Sequence, residues 1–182
     1  MSRRNTQRPN KHGPAGWKQD DRGVVAIEFA LLAVPFLFLL LGTLEICYAY
    51  ASGYVLETGI IQAARLIRTG QAQESADPQA AFEAKLCELT SSILDCSAIT
   101  YESIVVDSFS DAETIEPEYD EDGNMVSQGF STGDSGETVL IRASYRYHFK
   151  TPLVDLFVPS WHGGDSLLFI STYALRNEPF TF

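Results

Sequence analysis

Side chains suited to covalent or acid–base chemistry are few and scattered along this chain. Histidine occurs at His12, His148 and His162, and cysteine at Cys47, Cys87 and Cys96. His12 lies in a basic leader, His148 in an alternating strand pattern and His162 in a Trp-His-Gly-Gly turn, so none falls at triad or metal-ligand spacing with its neighbours. No H-E-x-x-H, glycine-rich phosphate loop or nucleophile elbow is present. The patch Asp120-Glu121-Asp122-Gly123-Asn124 has residue types that could hold calcium. Its glycine comes too early for an EF-hand and no distal Glu is in register, so it reads as a solvated acidic loop. No metal, cofactor or enzymatic activity is expected. An exported hydrolase would need groups brought together only by folding, such as His148 with Asp155 and a serine.

The informative charge is Glu28. It is the single ionisable residue in an apolar run from Val24 to Leu44, whose 21 residues match the length of a membrane span. A carboxylate inside such a run is costly and usually has a role or a partner, although a position near the edge can also reach headgroup water. Residues 1–22 carry six bases and two acids, whereas the remaining 160 carry seven bases and 22 acids. The positive-inside rule therefore leaves the N-terminus cytoplasmic and exports the acidic remainder. The formal net charge of -11 excludes broad nucleic-acid binding. Cleavage as an ordinary signal peptide after Ala49-Tyr50-Ala51 is a rival reading. The apolar run is longer than a cleaved h-region, and a helical pattern continues past that point.

Residues 1–23 thus form a basic cytoplasmic leader and 24–70 a transmembrane and extended amphipathic helix. Residues 71–182 form an exported acidic α+β domain. Ile46, Ala49, Gly53, Leu56, Ile60, Ala63 and Ile67 recur every three or four residues, a heptad-like seam continuing the helix. The small pairs Ala49/Gly53 and Gly59/Ala63 would let another backbone approach closely. Either a partner helix or the chain's own domain could cover them. Pro35 removes one backbone bond within the span and invites a kink. Gly70 is placed to end the helix, and Asp77-Pro78 supplies a cap and first-turn proline for a second helix over 78–94 with Phe82, Leu86, Leu89 and Ile93 as its stripe. Strands are expected over 99–109, 138–150 and 167–175. In the second, Val139, Ile141, Ala143, Tyr145, Tyr147 and Phe149 face a core and Arg142, Ser144, Arg146, His148 and Lys150 face water. Residues 110–137, with nine acids, no base and four glycines, read as a long mobile loop.

Export to an oxidising compartment favours a bridge between Cys87 and Cys96, with two buried thiols as the alternative. Nine residues along one helix would hold them too far apart, so a bridge requires the second helix to break before Cys96, near Asp95.

The stretch Gly23-Val24-Val25-Ala26-Ile27-Glu28-Phe29 follows the basic leader directly. This Gly-x4-Glu-Phe pattern resembles the processing site of type IV pilins and pseudopilins, cut by an inner-membrane prepilin peptidase. The wider stretch RGVVAIEFALLAVPFLFLLLGTLEICYAY resembles the TadE-like minor pseudopilins of the tight-adherence (Tad/Flp) pilus system, as does VLETGIIQAARLIRTGQA. Arg176-Asn177-Glu178-Pro179-Phe180 resembles an ending common in that family, and Cys87 and Cys96 stand where many relatives carry a cysteine pair.

The resemblance implies a non-enzymatic minor pseudopilin that takes part in assembly, priming or anchoring of a pilus. The implied cut lies between Gly23 and Val24, with Glu28 and Phe29 completing the recognition stretch. Implied partners are the inner membrane, prepilin peptidase, a sister pseudopilin and the pilus assembly machinery. The alternative is a single-pass, membrane-anchored envelope binding module that is not processed.

Overall fold

A computed structural model describes residues 22–151 and 166–180. The leader before Arg22, with His12, and the segment holding Asp155 and His162 lie outside the described residues. The chain divides into two compact units, one ending at Leu41 and the other beginning at Gly42.

Helix α1 spans Arg22–Arg68 and includes Pro35. From Val24 to Leu41 its side chains are mostly exposed, with Phe29 and Leu32 each 72% accessible. It is long and apolar enough to cross a membrane. From Gly42 onward α1 becomes one-sided, burying Ala49, Ser52, Leu56, Ile60, Ala63, Ala64 and Ile67. Ile46, expected on that seam, is exposed. Gly70 follows the helix at φ 83°, a left-handed conformation that glycine adopts without a Cβ penalty.

Helix α2 spans Pro78–Thr90, opened by Asp77, whose carboxylate accepts from the N–H of Ala80 at 3.0 Å. It ends four residues earlier than its apolar pattern predicts. Ser91 caps it and its N–H bonds to the carbonyl of Cys87. Thr90 is fully buried where Leu89 was expected, its hydroxyl donating back to the carbonyl of Leu86. A short 3-10 turn, Cys96–Ala98, then leads into the sheet.

The main sheet holds β1 (Ile99–Val106), β4 (Thr138–His148) and β5 (Ser166–Arg176), antiparallel in the order β1-β4-β5. One face, carrying Ile99, Val139, Ile141, Ala143 and Leu175, packs with the second half of α1 and with Phe82, Leu86 and Leu94. This is the α+β plan, a long helix, a short helix and a small antiparallel sheet.

The other face is not wet as β4's alternation suggests. Arg142 and Ser144 are 2% and 3% exposed, and Leu140 packs with Val106 and Ala112 in a second small core. The cover comes from the segment read as a loop. It holds helix α3 (Phe109–Thr114) and the hairpin strands β2 (Glu118–Tyr119) and β3 (Met125–Val126). Register places Glu102 of β1 opposite Arg142 of β4, and their side chains form an ion pair at 2.8 Å, each nearly inaccessible. Arg142 also donates to the carbonyl of Ile115. Arg146 donates to Asn124 Oδ1 at 2.7 Å and to the carbonyls of Asp122 and Gly123. The acid-rich stretch is therefore fastened to the sheet by the arginines that its own composition lacks.

Candidate functional site

The residues of the predicted processing stretch occupy the first turns of α1. Gly23 is exposed, and a Cβ built there would meet nothing within 4 Å. Val24 is 49% accessible and Phe29 72%, and Glu28 is also exposed. Glu28 follows Val24 by four residues, so the two share one face of the helix a turn apart. No acidic residue lies in the first turn of α1. An amine generated at Val24 would add its charge to the positive end of the helix macrodipole, and Glu28 is the nearest carboxylate in sequence on that helix.

The small residues on α1 are occupied by the chain's own domain. A Cβ on Gly53 would stand 2.7 Å from the ring of Phe169 on β5, and one on Gly59 would stand 2.6 Å from Cγ2 of Thr90 on α2. Ala49 and Ala63 are buried. Close approach is thus required by the sheet and α2, and the alternative in which the domain covers the seam is the one that the structure adopts.

Cys87 and Cys96 form a disulfide with their Cα atoms 5.5 Å apart. The early end of α2 permits it, since the chain turns through Ser91–Leu94 and returns Cys96 beside the last helical turn. Asp95 sets that return, its carboxylate accepting from Ser97 N–H at 3.0 Å and Ser97 hydroxyl at 2.7 Å. These Ser97 bonds hold Asp95 below the usual carboxylate range. Cys47 is exposed on α1 and unpaired.

The C-terminal stretch is a structural knot. Arg176 Nε donates to the carbonyl of Gly136 at 2.7 Å, and the buried Asn177 donates through Nδ2 to the carbonyls of Thr132 and Asp134 at 2.9 and 3.0 Å. Glu178 donates its N–H to the carbonyl of Arg68 and accepts from the Arg68 guanidinium at 2.8 Å, closing the domain onto the last turn of α1. The Arg68 guanidinium is held above its ordinary value, chiefly by that hydrogen bond. Pro179 follows Glu178, and the N–H of Phe180 donates to Ser135 Oγ at 3.2 Å.

Asp120 spends its carboxylate on the β2–β3 turn, accepting from the N–H groups of Asp122 and Asn124 and from Asn124 Nδ2. Those Asn124 contacts lower its pKa. With the Arg146 guanidinium against the same turn, the patch stabilises a hairpin.

One residue escaped the sequence reading. Glu45, directly after the apolar run, is 8% exposed, and its carboxylate accepts from the backbone N–H groups of Lys150 and Thr151, the latter at 2.7 Å. Only its place at the boundary of the apolar run marks it in the sequence, because its partners are main-chain groups more than a hundred residues away.

No curated protein and no solved structure matches the chain. Residues 23–65 match the family model described as TadE-like protein. The match begins at Gly23, runs through the apolar stretch and ends within the buried seam of α1. Over this N-terminal helix, and there alone, the chain is similar to TadE-like proteins.

Proposed function

We propose that the chain is a non-enzymatic minor pseudopilin that takes part in assembly, priming or anchoring of a Tad pilus. It is held in the inner membrane by residues 24–44, with the leader cytoplasmic and the sheet domain periplasmic. The observation that carries this reading is the TadE-like match starting at Gly23, the residue before the implied cut. The open surroundings of Gly23 support access by a prepilin peptidase. Hydrolysis of the Gly23–Val24 bond removes the basic leader and leaves an amine at the head of α1.

In a low-dielectric setting an unpaired ammonium is costly, and so is the unpaired Glu28 carboxylate. Pairing the amine of one subunit with Glu28 of a neighbour or sister pseudopilin removes both costs at once. Processing therefore creates the group that Glu28 needs for assembly. The apolar side chains exposed around residues 24–41 supply the surface for lipid before assembly and for neighbouring helices after it.

The test uses two substitutions in cells that contain the prepilin peptidase. Gly23→Leu is expected to leave a full-length protein, 23 residues longer than the processed wild type. Glu28→Gln is expected to remain membrane-bound yet fail to co-purify with pilus components. An unprocessed wild type overturns the cleavage step, and normal assembly of Glu28→Gln favours a simple anchored binding module.

A further inference from the structure

The Glu45 contact ties the end of β4 to the point on α1 where the apolar run stops. Aromatic rings and one lysine stand near that point. Tyr48 is 46% accessible and its ring lies 5.9 Å from that of Tyr147, which in turn meets Phe149 at 5.5 Å. Tyr50 is 67% accessible, its ring 6.3 Å from that of Phe169 on β5, and Lys150, whose N–H bonds Glu45, is exposed. Tyr48 also donates its hydroxyl to the carbonyl of Ile93.

Tyr48 and Tyr50 follow Leu44 by four and six residues. At ~1.5 Å per residue that is roughly 6 and 9 Å past the apolar stretch, the depth of the headgroup layer. Amphipathic rings with an apolar body and a wet hydroxyl favour that layer, and a lysine there can hold its stem in the apolar zone while its ammonium meets phosphate. Glu45 itself would be an expensive group at this depth. Two backbone N–H donors satisfy it, so the carboxylate serves as a tether without being left bare.

We propose that this end of the sheet domain is a phospholipid-headgroup contact, formed by Tyr48, Tyr50 and Lys150 and held at the membrane surface by Glu45. The proposal rests on the reading of residues 24–44 as a membrane span. It adds that the β4 end of the domain meets the bilayer surface.

The experiment places single nitroxide labels on the full chain in phosphatidylethanolamine–phosphatidylglycerol vesicles. The background is Cys47→Ser with the native disulfide intact, and the sites are Val34→Cys, Lys150→Cys and Gln71→Cys. Relaxation by lipid-soluble oxygen is compared with relaxation by an aqueous nickel complex. The backbone N–H that bonds Glu45 is retained in Lys150→Cys. Its label is expected at an interfacial ratio, between the hydrocarbon value at Val34→Cys and the aqueous value at Gln71→Cys. Adding Glu45→Ala is expected to move it to the aqueous value. A label at position 150 as wet as that at 71, with position 34 in hydrocarbon, overturns the headgroup contact alone. A wet label at position 34 overturns the span, and the contact with it.

Discussion

At the scale of single residues, the buried ion pair between Glu102 and Arg142 holds the second face of the sheet. Both groups are almost wholly removed from water, and Arg142 also satisfies the carbonyl of Ile115. Removing one partner leaves a bare buried charge, so Glu102→Gln is expected to destabilise the domain by about 3–5 kcal/mol in denaturant titration. Replacing both with apolar residues of similar volume is expected to cost much less, since neither charge is then stranded. Tyr147 offers a second measurement. Burial, then the nearby Glu45 charge, pushes its phenol from 10.0 up to about 12. The folded state therefore keeps a proton that the unfolded chain loses first. Its contribution is fully present below pH 10 and falls as pH rises toward about 12. Phenolate absorbance is expected to show one tyrosine titrating last in the folded protein, and Tyr147→Phe should remove that step. Titration of every tyrosine at the ordinary value would contradict it.

At the scale of elements, local chemistry made much of the fold legible. The three- and four-residue spacing of Ala49, Leu56, Ile60, Ala63 and Ile67 announced the buried side of α1, and Asp77-Pro78 announced the start of α2. The alternation from Val139 to Tyr147 announced β4. What stayed hidden depended on partners distant in sequence. Arg142 and Arg146 look solvent-facing in β4 alone; Arg142 becomes interior because Glu102 stands opposite, and Arg146 becomes half-buried because the β2–β3 turn folds onto it. The acid-rich stretch looks structureless by composition for the same reason, its bases lying on another element. The apolar stripe overruns the end of α2 because Ile93 continues it, although Ile93 and Leu94 reach the core from the turn that follows the helix.

Two predictions belong at this scale. Gly59 lies so close to Thr90 that Gly59→Val is expected to lower stability by about 1–3 kcal/mol despite the gain in helix propensity, measurable by chemical denaturation. Replacing Cys87 and Cys96 together with alanine is expected to cost about 3 kcal/mol on the chain-entropy estimate, with the native fold retained at low temperature. Equal stability of the reduced and oxidised proteins would reject the bridge as a staple.

At the scale of the whole molecule, a basic leader, an apolar helix and an acidic domain follow one another along the chain. In the proposed sequence of events the leader would hold the N-terminus in place during insertion, the helix would enter lipid, and a cut at Gly23–Val24 would supply the charge that Glu28 answers in a neighbouring subunit. The proposed cleavage pattern can be read from sequence because it is local to the seven residues from Gly23 to Phe29. The tether at Glu45 cannot be, because only the fold brings the end of β4 to it. The most direct measurement is N-terminal sequencing of mature protein purified from cells that contain the prepilin peptidase. The account predicts a chain beginning at Val24. A chain beginning at Ser52, or one that keeps Met1 and the leader, would contradict it.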